Sequence, residues 1–346
     1  MVRNVFVLSL TAGAVFTASA FAQQNTPQAS TRDEVNAGYY KKMRELDAQY
    51  LTDLAKVAAS EKGDAADATY RQIFNLAIAR NQYAPVEKAA ELVIADANHG
   101  ADVEMLAHFI NVVAEADRGS IDESLEHLKA YIKPREGAAD PRLKVETETI
   151  LAVGEAYFQR LVQSGHYDAA RQFCEFVINE SPRATTKAHF TKRLARVGML
   201  GKPAPALAGT DLDGKALSLA DYKGKVVLVD FWATWCPPCS AQMIRLNAIR
   251  ERFKAQGFEV LGVNVDALRT GSGGVEEVLP AVRRYVIEHQ AAFPTIIGGA
   301  EPNLPSLFGV EEIPANFLIG RDGNIVQFEL GEFNTGKAVE AALKKN

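Results

Sequence analysis

The hydrophobic positions of this 346-residue chain change their period near residue 200. Before that point they recur every three or four residues. Between Asp33 and Ala59, for example, Tyr40, Met43, Leu46, Tyr50, Leu54 and Val57 fall on one side of a 3.6-residue helix. Beyond residue 200 the apolar residues arrive in short runs, apolar at nearly every position from Val226 to Trp232 and again prominent from Phe258 to Val265. Runs of that length, rich in β-branched and aromatic residues, predict strands covered on both faces of a sheet. A helical stretch lies between them. Strand, helix, strand predicts a parallel pair joined by a right-handed crossover.

Residues 33–197 are therefore expected to form an all-α domain of helical hairpins. Three segments within it open alike, at Gln82, Ser120 and Gly165, and Pro182 closes the third. Their anchors Tyr83, Ile121 and Tyr167 are 38 and 46 residues apart, within the period range of paired-helix repeats. The third segment resembles the second half of a tetratricopeptide-type repeat, with its Gly-x-Tyr-x-x-Ala pattern. Such an array either docks a partner protein or a second copy, or serves only to position the domain that follows.

That second domain is expected over residues 198–346. The Gly- and Pro-rich stretch Val197 to Pro205 reads as a linker. A hairpin turned at Asp213-Gly214 follows. Val275, Val278, Leu279, Val282 and Val286 mark one helix face, and Pro294 to Ile297 reads as a short strand. Ala315 to Ile319 and Asn324 to Leu330 form a last hairpin turned at Asp322-Gly323, and a helix from about Thr335 to Lys345 closes the chain. The glycine-rich loop Thr270 to Gly274 lacks the lysine and spacing of a nucleotide fingerprint, and is expected to be a surface loop.

Composition narrows the choices. The net charge is −5, and nothing is basic enough to suggest nucleic acid. Arg3, the apolar run Val5 to Phe16 and the small-x-small site Ala20-Phe21-Ala22 read as a signal peptide over residues 1–22, cleaved after Ala22. The alternative is an uncleaved anchor, for which the run is short. Residues 23–32 are a polar, disordered lead-in. Export to a periplasm-like compartment is one in which disulfides form and persist.

The candidate chemistry lies in Cys236-Pro237-Pro238-Cys239, directly after the first buried run. Pro237 is suited to the first helical position, which puts Cys236 at a helix N-terminus with its sulfur towards free N–H groups. The helix dipole there favours the thiolate. Cys239, one turn on, can close a small disulfide, so Cys236 can attack and Cys239 can resolve. A purely structural disulfide would close almost no loop and stabilise little. A zinc site would need two further Cys or His ligands, and the third cysteine, Cys174, lies on an apolar helix face far along the chain, where a buried inert thiol is expected. Asp230 stands in the middle of the buried run, where a carboxylate is costly unless paired or functional. Desolvation should raise its pKa and suit it to accept the Cys239 proton.

The run Phe231 to Cys239 resembles the active-site segment of the thioredoxin superfamily, and in particular of its exported TlpA/ResA-like branch. The resemblance covers about residues 198–346. It implies an α/β thioredoxin fold, a central mixed sheet flanked by helices, and a protein-disulfide oxidoreductase that needs no cofactor beyond the Cys236/Cys239 pair. It implies that Ile313-Pro314 is the cis-proline segment, and that Trp235, Pro237, Ile313 and Pro314 line the groove for a disulfide-containing protein substrate. It also implies a membrane thiol–disulfide carrier as electron donor, with reduction as the direction. Three positions depart from the family pattern. Gly262 stands where thioredoxins carry a lysine beside the buried acid, Pro237-Pro238 where ResA-like reductases often carry a glutamate, and Ser240 where many carry lysine. Rival readings are an oxidase or isomerase using the same cysteines, an interaction protein working through its helical domain, and a peroxidase. The peroxidase would need a threonine where Ala233 stands.

Overall fold

Eight helices occupy the N-terminal part of this computed structural model, which describes residues 32–133, 147–269, 271, 273–289, 291–299, 303–331 and 334–345. They are α1 (Arg32–Ser60), α2 (Asp64–Arg80), α3 (Glu87–Ala95), α4 (Ala101–Asp117), α5 (Ile121–Ile132), α6 (Thr147–Gln163), α7 (Tyr167–Glu180) and α8 (Ala184–Val197). The export segment expected over 1–22 and the lead-in up to residue 31 lie outside the described residues. No helix among the described residues is long and apolar enough to cross a membrane. The three segment openings seen in the sequence precede α3, coincide with the start of α5 and precede α7.

The helical core is aromatic. Phe173 stands edge-on to both Tyr157 and Phe190, at 5.3 Å between centroids in each case. Gly154 lets α6 approach this cluster, since a Cβ there would lie 2.7 Å from the Phe190 ring. Ser124 is fully buried, but its hydroxyl donates to the Val112 carbonyl at 2.7 Å and pairs with the Tyr157 hydroxyl at 2.9 Å, so no polar atom of it is stranded.

A seven-stranded mixed sheet follows: β1 (Ala208–Thr210), β2 (Ala216–Ser218), β3 (Val226–Trp232), β4 (Phe258–Asn264), β5 (Thr295–Ile297), β6 (Ala315–Ile319) and β7 (Ile325–Phe328). The spatial order is β2-β1-β5-β4-β3-β6-β7. β3 and β4 are buried at every position, as their largely apolar runs predict, and the burial includes Asp230, Glu259 and Asn264. They pair in parallel, with α9 (Pro237–Phe253) as the crossover between them. β6 pairs antiparallel with β3 on its other side. α10 (Val275–Glu288), the short α11 (Leu304–Leu307) and α12 (Thr335–Lys344) complete the domain.

Two segments differ from expectation. The stretch read as a linker is stitched into the fold: Gly201 donates to the Ile325 carbonyl at 2.8 Å, Ile325 to that of Lys202 at 2.9 Å, and Ala204 to that of Gly323 at 3.0 Å. These residues satisfy the edge of β7 rather than spanning open solvent. β7 itself ends at Phe328, because Glu329 adopts a left-handed backbone, φ 52°, that leaves the strand. Helices and sheet meet at this edge. Tyr167 packs on Phe328, at 5.6 Å between rings, and Asn334 donates to the Gln163 carbonyl at 2.8 Å.

Candidate active site

β3, paired on both sides within the sheet, ends at Trp232, where a turn must redirect the chain into α9. Asp266, just past β4, holds that turn. One of its oxygens accepts from the Thr234 backbone N–H at 3.0 Å and the other from the Thr234 hydroxyl at 2.5 Å. Asn264 donates to the same carboxylate at 2.5 Å and fixes it in place. No local pattern in the sequence points to Asp266, which lies 32 positions beyond Thr234.

Pro237 starts α9 and Cys236 is its N-cap residue, as the spacing predicts. The Cys236 side chain makes no capping hydrogen bond. Contrary to expectation its sulfur is not committed to the helix N–H groups, because it is bonded to Cys239 at 2.03 Å, with 5.4 Å between the Cα atoms. Cys236 is 4% exposed and Cys239 1%, so both are buried in the disulfide state. Pro237 and Pro238 face solvent, and Ser240 turns its hydroxyl back onto the Pro237 carbonyl at 2.8 Å. Trp235 stands beside them, 45% exposed, with the Arg269 guanidinium 5.7 Å from its ring.

The Ile313–Pro314 bond is cis. Antiparallel pairing puts Ala315 opposite Phe231, so Pro314 lies at the end of β3 from which the cysteine turn departs. The sheet thus brings Trp235, Cys236, Ile313 and Pro314 to one edge of the domain.

Asp230 is 1% exposed, and burial pushes its carboxyl up to about 8. Its parallel neighbour is Gly262, so the lysine of other thioredoxins is absent at that position. The site is not without a cation, however. Gln242 donates to the Asp230 carboxyl, and the Arg245 charge opposes the rise from the same helix. Gln242 follows Cys239 by three residues, a spacing that places both on one face of α9. Gly262 also has no room for a side chain. A Cβ would lie 2.7 Å from the Thr295 hydroxyl and 3.0 Å from the Trp232 indole nitrogen. Cys174 takes no part in the site. It is fully buried on α7, and burial pushes its thiol up to about 12.

With this geometry in place, the chain was compared with known proteins. The Redoxin family profile matches residues 199–344. The thiol-disulfide oxidoreductase ResA of Bacillus thuringiensis (strain Al Hakam) is 35% identical over 146 residues, which cover 42% of this chain and 78% of that protein. The ResA of Geobacillus kaustophilus is 33% identical, over 41% of this chain and 74% of the relative. The chain belongs to the TlpA/ResA-like branch of the thioredoxin superfamily. Like the ResA proteins, it is a thiol–disulfide oxidoreductase. Among solved structures, the thioredoxin domain of a thiol-disulfide oxidoreductase from Bacteroides vulgatus is similar at 28% identity, covering 42% of this chain and 98% of that one, with a TM-score of 0.37.

Proposed function

We propose that this TlpA/ResA-like protein reduces disulfides in exported client proteins. Cys236, as thiolate, attacks one sulfur of the client disulfide and releases the other as a thiolate. Cys239 then attacks the mixed disulfide, the client leaves with both sulfurs reduced, and the Cys236–Cys239 bond forms. Two electrons move and no bound cofactor is needed. Asp230 takes the proton as Cys239 ionises, for which an acid near neutral pKa is suited. Trp235, Pro237, Ile313 and Pro314 form the groove along which the client chain lies. A membrane-borne dithiol carrier re-reduces the pair, because no soluble reductant is maintained outside the cytosol.

The single observation that carries this reading is a Cys236–Cys239 disulfide at the N-terminus of α9, at the end of β3 that also holds Trp235 and Pro314. The family resemblance supports the direction. The deciding experiment is the equilibrium reduction potential of the pair in glutathione or dithiothreitol buffers. A value at or below about −250 mV fits a reductant, and a value near about −120 mV makes the protein a disulfide donor instead.

A further inference from the structure

A polar cavity of about 240 Å³ opens beside Pro314, and both parts of the molecule build it. The thioredoxin-like part supplies Gln242, Arg245, Pro314 and Glu329. The helical part supplies Gln163 from α6 and Arg193 and Arg196 from α8. The last two are 4% and 5% exposed, so each guanidinium is committed to the interior. Arg196 ties the two rims together: it donates to Glu329 on one side and to the Gly309 carbonyl, in the segment leading to Pro314, on the other. Arg193 is anchored to Glu155 at 2.8 Å.

Anchoring is incomplete. The Nε of Arg196 and one carboxyl oxygen of Glu329 are buried with no hydrogen-bond partner. Buried polar atoms of this kind are costly unless something completes them. Arg193, Arg196 and Arg245 line the cavity with Glu312 and Glu329, and Glu155 balances Arg193, so the unsatisfied donor at this wall is the Arg196 Nε. Burial raises the Glu329 carboxyl, and the charges of Arg196 and Arg193 oppose that rise.

We propose that this cavity is a subsite for the client polypeptide, and that it takes a carboxylate side chain of the client on Arg193 and Arg196. The inference rests on the reading of the Ile313–Pro314 edge as the client groove. Its position sets a register. Gln242 follows Cys236 by six helical residues, or about 9 Å along the axis, which is about three residues of extended chain. The carboxylate therefore belongs about three residues from the client cysteine. The helical region, on this account, is part of the substrate site.

The test uses the full chain carrying Cys236→Ser and Cys239→Ser, so that binding is read with no redox step. The probes are blocked peptides with the reacting cysteine replaced by alanine and with Glu or Lys about three residues away on either side. Calorimetry should show a Glu peptide bound about tenfold more tightly than its Lys counterpart, with the gap narrowing as salt is raised. Arg193→Gln should shrink the gap to within about threefold. Gln163→Glu, near-isosteric and lying over Gly331, should do the same. Equal binding of the two peptides, no binding of either, or a gap that survives both substitutions overturns the proposal. Free succinate that binds the cavity while the peptides show no preference makes it an anion site and also overturns the client subsite. A failure of the disulfide-exchange reading would appear in the reduction potential, which this binding assay does not use.

Discussion

A carboxyl group inside a strand that is buried at every position is a residue-scale problem with a measurable consequence. Asp230 is held protonated by burial, with a pKa of about 8 in the folded chain against about 4 in an unfolded one. A folded-state pKa raised above the unfolded value means the native state holds the proton more tightly. Stability is therefore highest below about pH 4 as far as this group is concerned, and falls as pH rises from there through about 8. Asp230→Asn should flatten that fall and gain on the order of 2–4 kcal/mol at pH 8, read from urea unfolding at a series of pH values. In the same variant, disulfide exchange by the Cys239 thiol should slow and lose its inflection near pH 8, a result that stopped-flow tryptophan fluorescence would report. Cys174 makes the opposite prediction. With no exposed surface and a thiol pushed up to about 12, it should resist Ellman's reagent in the reduced native protein while Cys236 reacts, and become reactive only on unfolding. Rapid labelling of a third thiol without unfolding would contradict its burial.

At the scale of elements, the active-site turn depends on a partner from the neighbouring strand. Asp266 accepts two hydrogen bonds from Thr234, and Asn264 braces it. Asp266→Ala leaves the Thr234 N–H and the Asn264 amide without that acceptor, and should cost about 2–3 kcal/mol by urea denaturation and shift the reduction potential of the cysteine pair. Two residues before Asn264, on the same face of β4, there is a steric rule. Gly262→Ala would drive a methyl against Thr295 and Trp232, and should destabilise by about 1–3 kcal/mol in the same assay. The elements themselves were largely legible in the sequence. β3 and β4 followed from their largely apolar runs, β6 from the hairpin turned at Asp322-Gly323, and α9 from a proline placed after the first cysteine. The end of β7 was not legible. Glu329 leaves the strand where it pairs with Arg196, 133 residues earlier, and no local pattern encodes such a contact.

At the scale of the whole molecule, α8 is held to the sheet edge by ion pairs that cross between the two parts. Arg196 and Glu329 are 5% and 10% exposed at their side chains, so removing one leaves the other buried without a full partner. Arg196→Ala should cost about 3–5 kcal/mol of unfolding free energy, whereas Lys192→Ala, which breaks the exposed pair with Glu311, should cost less than about 1 kcal/mol. The sequence alone determined the period of each element, the cysteine pair with its helix start and the acid in the buried strand. All of these are local: they depend on side-chain spacing within one strand, one turn or one helix. Only the tertiary structure decided that Asp266 holds the Thr234 turn, that Gln242 and Arg245 attend Asp230, and that Arg193 and Arg196 close a cavity beside Pro314. Those contacts join residues whose separations follow no period, because chain folding rather than spacing brings them together.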